Sequence, residues 1–137
     1  MKEDDVKTLI RYRLDQARTA LSDASFLMEG GRSSQSIVNR LYYAMFYATL
    51  ALLQKIKKTP SKHAGVISLF DKEFVRKGIF PRGMSRHFHR AFELRQSSDY
   101  KVMSLIPRET IDELFEQAHA FIESASQYLQ EISSVSK

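Results

Sequence analysis

The chain has 137 residues, 43% hydrophobic and 27% charged, the proportions of one globular domain with room for a real core. It has no cysteine, which excludes disulfides and thiol chemistry, and no apolar run of bilayer-spanning length, which excludes a membrane-spanning class. The formal charge of +5 permits an anionic partner, and the acidic start Met1-Lys2-Glu3-Asp4-Asp5 is no secretory signal, so a cytoplasmic protein without membrane contact is expected.

The first predicted helix covers residues 3–28. Val6, Ile10, Leu14, Ala17, Leu21, Ala24 and Met28 step by three or four, and Asp4 and Asp5 suit the positive end of the helix dipole. Gly30-Gly31 stops it. Ser33 or Ser34 caps a second helix that runs to about Gln54. From Leu41 to Leu53 this helix is apolar or aromatic nearly all round, so it lies between neighbours or in a dimer seam. Ser36, Asn39, Arg40 and Tyr43 share one face at its start. Lys55 to Pro60 form a basic connector, with Pro60 opposing further helix.

A shorter helix follows over about residues 62–77. Val66, Ile67, Phe70 and Phe74 form its apolar face, with His63 one turn earlier on that face. Gly78 ends it. Pro81 opens a fourth helix at a position that needs no backbone donor. Arg82, Arg86, His89 and Arg90 make a basic stripe on its outer side, either a solvated face or a track for a phosphate backbone. Met84, Phe88, Phe92 and Arg95 share the opposite, apolar face. An Arg there needs a carboxylate partner or a cleft, because an unpaired buried guanidinium is costly. Ser97, Ser98 and Asp99 favour a turn that folds Asp99 and Tyr100 back beside Arg95. Pro107 starts a long last helix marked by Ile111, Leu114, Ala118, Phe121, Ala125 and Leu129. The sum is an all-α, up-and-down antiparallel bundle of four main helices plus a shorter one, in a single domain.

Familiar catalytic patterns are missing. His87 and His89 are two apart on a helix and point different ways, and no HExxH or glycine-rich phosphate loop occurs, so neither a metal nor a cofactor is expected. Two polar clusters at helix ends remain: Ser36, Asn39, Arg40 and Tyr43, and Arg95, Asp99 and Tyr100. Spacing does not show whether they meet, though an antiparallel bundle can bring the start of the second helix beside the end of the fourth.

Three runs carry a resemblance: Asn39 to Ala48 (NRLYYAMFYA), His63 to Ile67 (HAGVI), and Phe92 to Tyr100 (FELRQSSDY). Together, in this order, they resemble the HEPN-domain superfamily, and most closely its UPF0332 branch of small stand-alone prokaryotic proteins. The resemblance implies a helical bundle, a homodimer with clefts facing across the interface, and pairing with a small nucleotidyltransferase in a toxin–antitoxin-like system. It also implies metal-independent endoribonuclease activity in members with Arg, four to six residues, then His. Arg95 matches the Arg, and Asn39 the polar residue facing the site from the second helix. The His is replaced: Asp99-Tyr100 stand in its place, and Tyr100 only loosely matches the tyrosine that an antitoxin adenylylates.

Metal-free RNA cleavage needs a base for the 2′-hydroxyl, an acid for the leaving oxygen and a cation on the phosphorane. Arg95 suits the last role. Tyr, with a pKa near 10, suits acid–base work less well than His near 6.5, and Asp99 would repel phosphate. The candidate catalytic residues are therefore Arg95, Asp99, Tyr100 and, if the fold brings it close, His63. The candidate RNA- or nucleotide-binding residues are Asn39, Arg40, Tyr43, Arg86 and Arg90. Three readings stay open: a toxin–antitoxin component that binds RNA or nucleotide, a ribonuclease, and a non-catalytic interaction module.

Overall fold

The computed structural model describes residues 2–96 and 106–135, with side chains as far as Glu131. Its helices are α1 (Glu3–Glu29), α2 (Ser34–Lys55), α3 (His63–Phe70), α4 (Arg82–Gln96) and α5 (Arg108–Val135). The protein is all-α, as the periodicity predicts. No described helix is long and apolar enough to cross a membrane.

The α1–α2 hairpin is set by its turn. Gly31 takes the left-handed conformation at φ 63°, and Arg32 N–H reaches back to the Leu27 carbonyl. Ser33 then caps α2 by accepting from Ser36 N–H. Buried Ala17, Ala20 and Ala24 let α1 lie close along α2. Helix α2 is the centre of the bundle and packs against α1, α3, α4 and α5. That position explains its apolar run: Leu41, Tyr42, Ala44, Met45, Ala48 and Leu52 are wholly buried. Burial is not complete all round, because Tyr43, Phe46, Tyr47 and Leu50 are only partly covered. Thr49, the polar break in the run, gives its hydroxyl proton to the Met45 carbonyl.

The third helix is shorter than its apolar pattern predicts as regular α-helix. After Phe70 the backbone widens into a π turn, Asp71–Val75, closed by Arg76 N–H to the Asp71 carbonyl. The turn presents the Asp71 carboxylate to α4. One oxygen accepts from Ser85 Oγ at 2.7 Å and the other faces His89 Nε2 at 2.6 Å. These contacts help fix α4.

Phe88 on α4 sits between Phe70, Phe121 and Tyr42, with ring centroids 5.4–5.9 Å away. It thereby joins α4 to α3, α5 and α2. Replacing Phe88 by Ala should destabilise the protein by about 3–5 kcal/mol, through lost burial and a cavity. Urea unfolding checks this, and a change under about 1 kcal/mol would show that Phe88 does not hold α4 in place.

Candidate functional site

The end of α4 does meet the first half of α2. The row Met84, Phe88, Phe92 faces the core, and Arg95 continues it at the helix's last turn. There the guanidinium lies over both tyrosines of α2, 5.1 Å from the centroid of Tyr42 and 5.1 Å from that of Tyr43. Its Nη2 donates to the Tyr43 hydroxyl at 3.1 Å. Among the described residues, no carboxylate lies within ion-pair distance of Arg95. Among the described residues, what holds it is two aromatic faces, each contributing about 0.5–2 kcal/mol.

Arg40 approaches the same phenol ring from α2 itself, 5.2 Å from the Tyr43 centroid. Its Nε and Nη2 both donate to Asn39 Oδ1, at 3.2 and 2.9 Å. It too has no acidic partner among the described residues. Asn39 and Arg40 also line an open groove of about 420 Å³ with Leu27, Gln35 and Ser36. Asn39, Arg40, Tyr43 and Arg95 thus form one polar surface bearing two guanidiniums.

His63 joins this surface. The connector after α2 runs back along the bundle, so α3 begins beside the middle of α2. The imidazole stacks on Phe46 at 4.4 Å, and its Nδ1 lies 2.7 Å from the Tyr42 hydroxyl. Burial raises the Tyr42 pKa well above the usual phenol range, with Arg95 opposing and Tyr43 adding to the rise. Burial, and then the Arg95 charge, lowers that of His63. Both shifts favour neutral groups, with the phenol donating to Nδ1. The imidazole proton then resides on Nε2, which has no hydrogen-bond partner among the described residues.

Tyr42 is the residue that sequence reasoning passed over. It is wholly buried and touches Tyr43, Phe46, His63, Phe88, Phe92 and Arg95. A phenol inside an apolar run was the available signal, since a buried hydroxyl must find a partner.

Two other candidates go elsewhere. Arg86 and Arg90 stand nine and five residues before Arg95, about 180° and 140° around the helix. Arg90 faces Glu113 of α5 at 3.5 Å. The basic stripe is thus on the far side of α4 from the cleft and partly neutralised, with His89 turned to Asp71. Asp99 and Tyr100 lie outside the described residues. No three His, Asp or Glu side chains among the described residues stand together as metal ligands would.

The profile of the HEPN domain matches residues 10–129, so the chain belongs to the HEPN domain family. Within it the chain falls in the UPF0332 branch. It is 31% identical to a UPF0332 protein of Thermotoga maritima over 94% of this chain and 97% of that one. Two Methanocaldococcus jannaschii proteins named as candidate toxins are also similar. MJ0605 is 31% identical over 93% of this chain and 94% of its own length, and MJ0142 is 34% identical over 67% and 63%.

The folded state lowers the His63 pKa, so the unfolded chain takes up more protons as the pH falls below the ordinary value of 6.5. This contribution to stability is present above that pH and is lost as the pH falls through the lowered value. Replacing Arg95 by Gln removes a nearby positive charge, so the His63 midpoint should rise. An NMR titration of the imidazole protons checks this, and an unmoved midpoint would mean that Arg95 does not act on His63.

Proposed function

We propose that this protein is the HEPN component of a toxin–antitoxin-like pair, with a small nucleotidyltransferase as partner. It binds RNA or a nucleotide through phosphate contacts to Arg95 and Arg40. The observation that carries this reading is two guanidiniums on one tyrosine, neither with a carboxylate among the described residues. Stacking orients each fork without itself neutralising the charge, which suits bidentate recognition of phosphate. The HEPN domain match and the relatives named as candidate toxins support the toxin-like part. A homodimer and a cytoplasmic location belong to the same proposal.

A second reading, metal-independent ribonuclease, is favoured by His63. Its imidazole and Arg95 both contact Tyr42, which supplies an acid–base group beside a phosphate-binding cation without the usual motif His. Tyr42 would act as a positioning residue that sets the imidazole tautomer.

The test is RNA binding, and RNA cleavage in EDTA, by wild type and Arg95→Ala. On the binding reading, Arg95→Ala and Arg40→Ala each weaken binding and lower the salt dependence by about one charge. On the ribonuclease reading, Arg95→Ala also costs cleavage by about 10²–10³. Binding unaffected by either change would overturn the site, and a pull-down that fails to recover a nucleotidyltransferase from native cells would overturn the pairing.

A further inference from the structure

The far end of α2 carries a second surface, built differently from the cleft. Between the start of α1, the end of α2 and the last part of α5 runs a groove of about 390 Å³, within the roughly 300–1,000 Å³ range of ligand-sized pockets. Its floor is mostly apolar, with Val6, Ile10 and Leu14 from α1 and Leu129 from α5, and the polar Ser126 and Gln130 of α5 line it beside Leu129. Lys7, Arg11 and Lys55 stand along its edges, with Glu3 at one end. None of these three cations has an ion-pair partner among the described residues. Within the floor Val6 and Leu129 are recessed, only 6% and 5% exposed, while Ile10 and Leu14 are partly exposed.

We propose that this groove docks an acidic amphipathic helix of another protein. Val6, Ile10 and Leu14 form an i, i+4, i+8 row, the kind of ridge against which a second helix packs. The lined part of α1, from Glu3 to Leu14, is roughly 16 Å long, about three helical turns. Lys7 and Arg11 repeat at the same one-turn spacing, so they match acids repeated along a helix better than a single carboxylate on a small molecule. This is the helix-in-groove mode, with apolar anchors inside and charge at the rim.

The same features argue against other occupants. A second copy docking through this face in two-fold symmetry would set its own Lys7, Arg11 and Lys55 against these. A flat bilayer would meet the rim but not the recessed Val6 and Leu129. Lys55 lies twelve residues beyond Tyr43 on α2, about 18 Å along the helix, so the groove and the Arg95 cleft can be occupied together.

The probe is a fluorescein-labelled 14-residue helical peptide with Leu at positions 1, 4, 8 and 11 and Glu on its flanks. The control carries Lys in place of every Glu. Anisotropy with the full chain should show saturable binding of the acidic peptide with Kd on the order of 1–100 µM, and none of the basic one. The double variant Lys7→Glu, Arg11→Glu changes exposed positions and should weaken binding about tenfold or more, and added salt should weaken it too. Arg95→Ala should leave peptide binding unchanged. Equal binding of both peptides, no effect of charge reversal, or no saturation up to about 1 mM would overturn the proposal. So would co-sedimentation with anionic phosphatidylserine vesicles that Lys7→Glu, Arg11→Glu abolishes, or a dimer that the same variant dissociates.

Discussion

The constraint on which the site depends is the buried hydroxyl of Tyr42. A phenol with no access to water costs about 1–3 kcal/mol unless it is hydrogen-bonded. Here the acceptor is His63 Nδ1 at 2.7 Å. That bond fixes the start of α3 against the middle of α2. The same ring is packed by Phe88 and Phe92 of α4, which bring the last turn of α4 onto α2. Arg95 arrives over the tyrosines as a consequence. Three helices are held to one aromatic side chain, and the polar surface forms where they meet.

Energetics decide what kind of surface that is. A partly buried cation loses hydration, and an ion pair is the usual compensation. Among the described residues, Arg95 uses two ring faces and a phenol oxygen, and Arg40 uses one ring face and an amide oxygen. Rings and neutral oxygens orient a guanidinium without neutralising it. Among the described residues nothing neutralises that charge, and it also lowers the pKa of His63 nearby. An anion drawn by the guanidiniums would approach an imidazole that is neutral at physiological pH.

Much of this was legible in the sequence because it follows helical period. The all-α bundle, the helix stops at Gly30-Gly31 and Gly78, and the inward direction of Arg95 all come from spacing. The meeting of Arg95 with Tyr43 does not follow from spacing; the packing of α4 on α2 makes it. What spacing does not reveal is which groups pair across helices. Ser85 and His89 turn to Asp71 only because a π turn presents that carboxylate, and a π turn has no strong sequence mark. Arg86 and Arg90 share α4 with Arg95, yet their side of the helix separates them from it. Spacing puts His63 on the apolar face of α3 and makes it a candidate only if the fold brings it close, and the return of the connector after α2 brings it to Tyr42.

The central claim is that stacking on Tyr42 and Tyr43 makes Arg95 an oriented phosphate receptor rather than a structural cation. The most direct measurement is the affinity of a single-stranded RNA oligonucleotide for wild type and for Arg95→Lys, at one salt concentration, with thermal melts to confirm folding. Lys keeps the charge but has neither the planar fork nor its stacking. The account predicts binding weaker by about tenfold or more, a loss of at least ~1.4 kcal/mol, in a protein that still folds. Equal affinity would mean that only the charge matters, and the oriented receptor would be wrong.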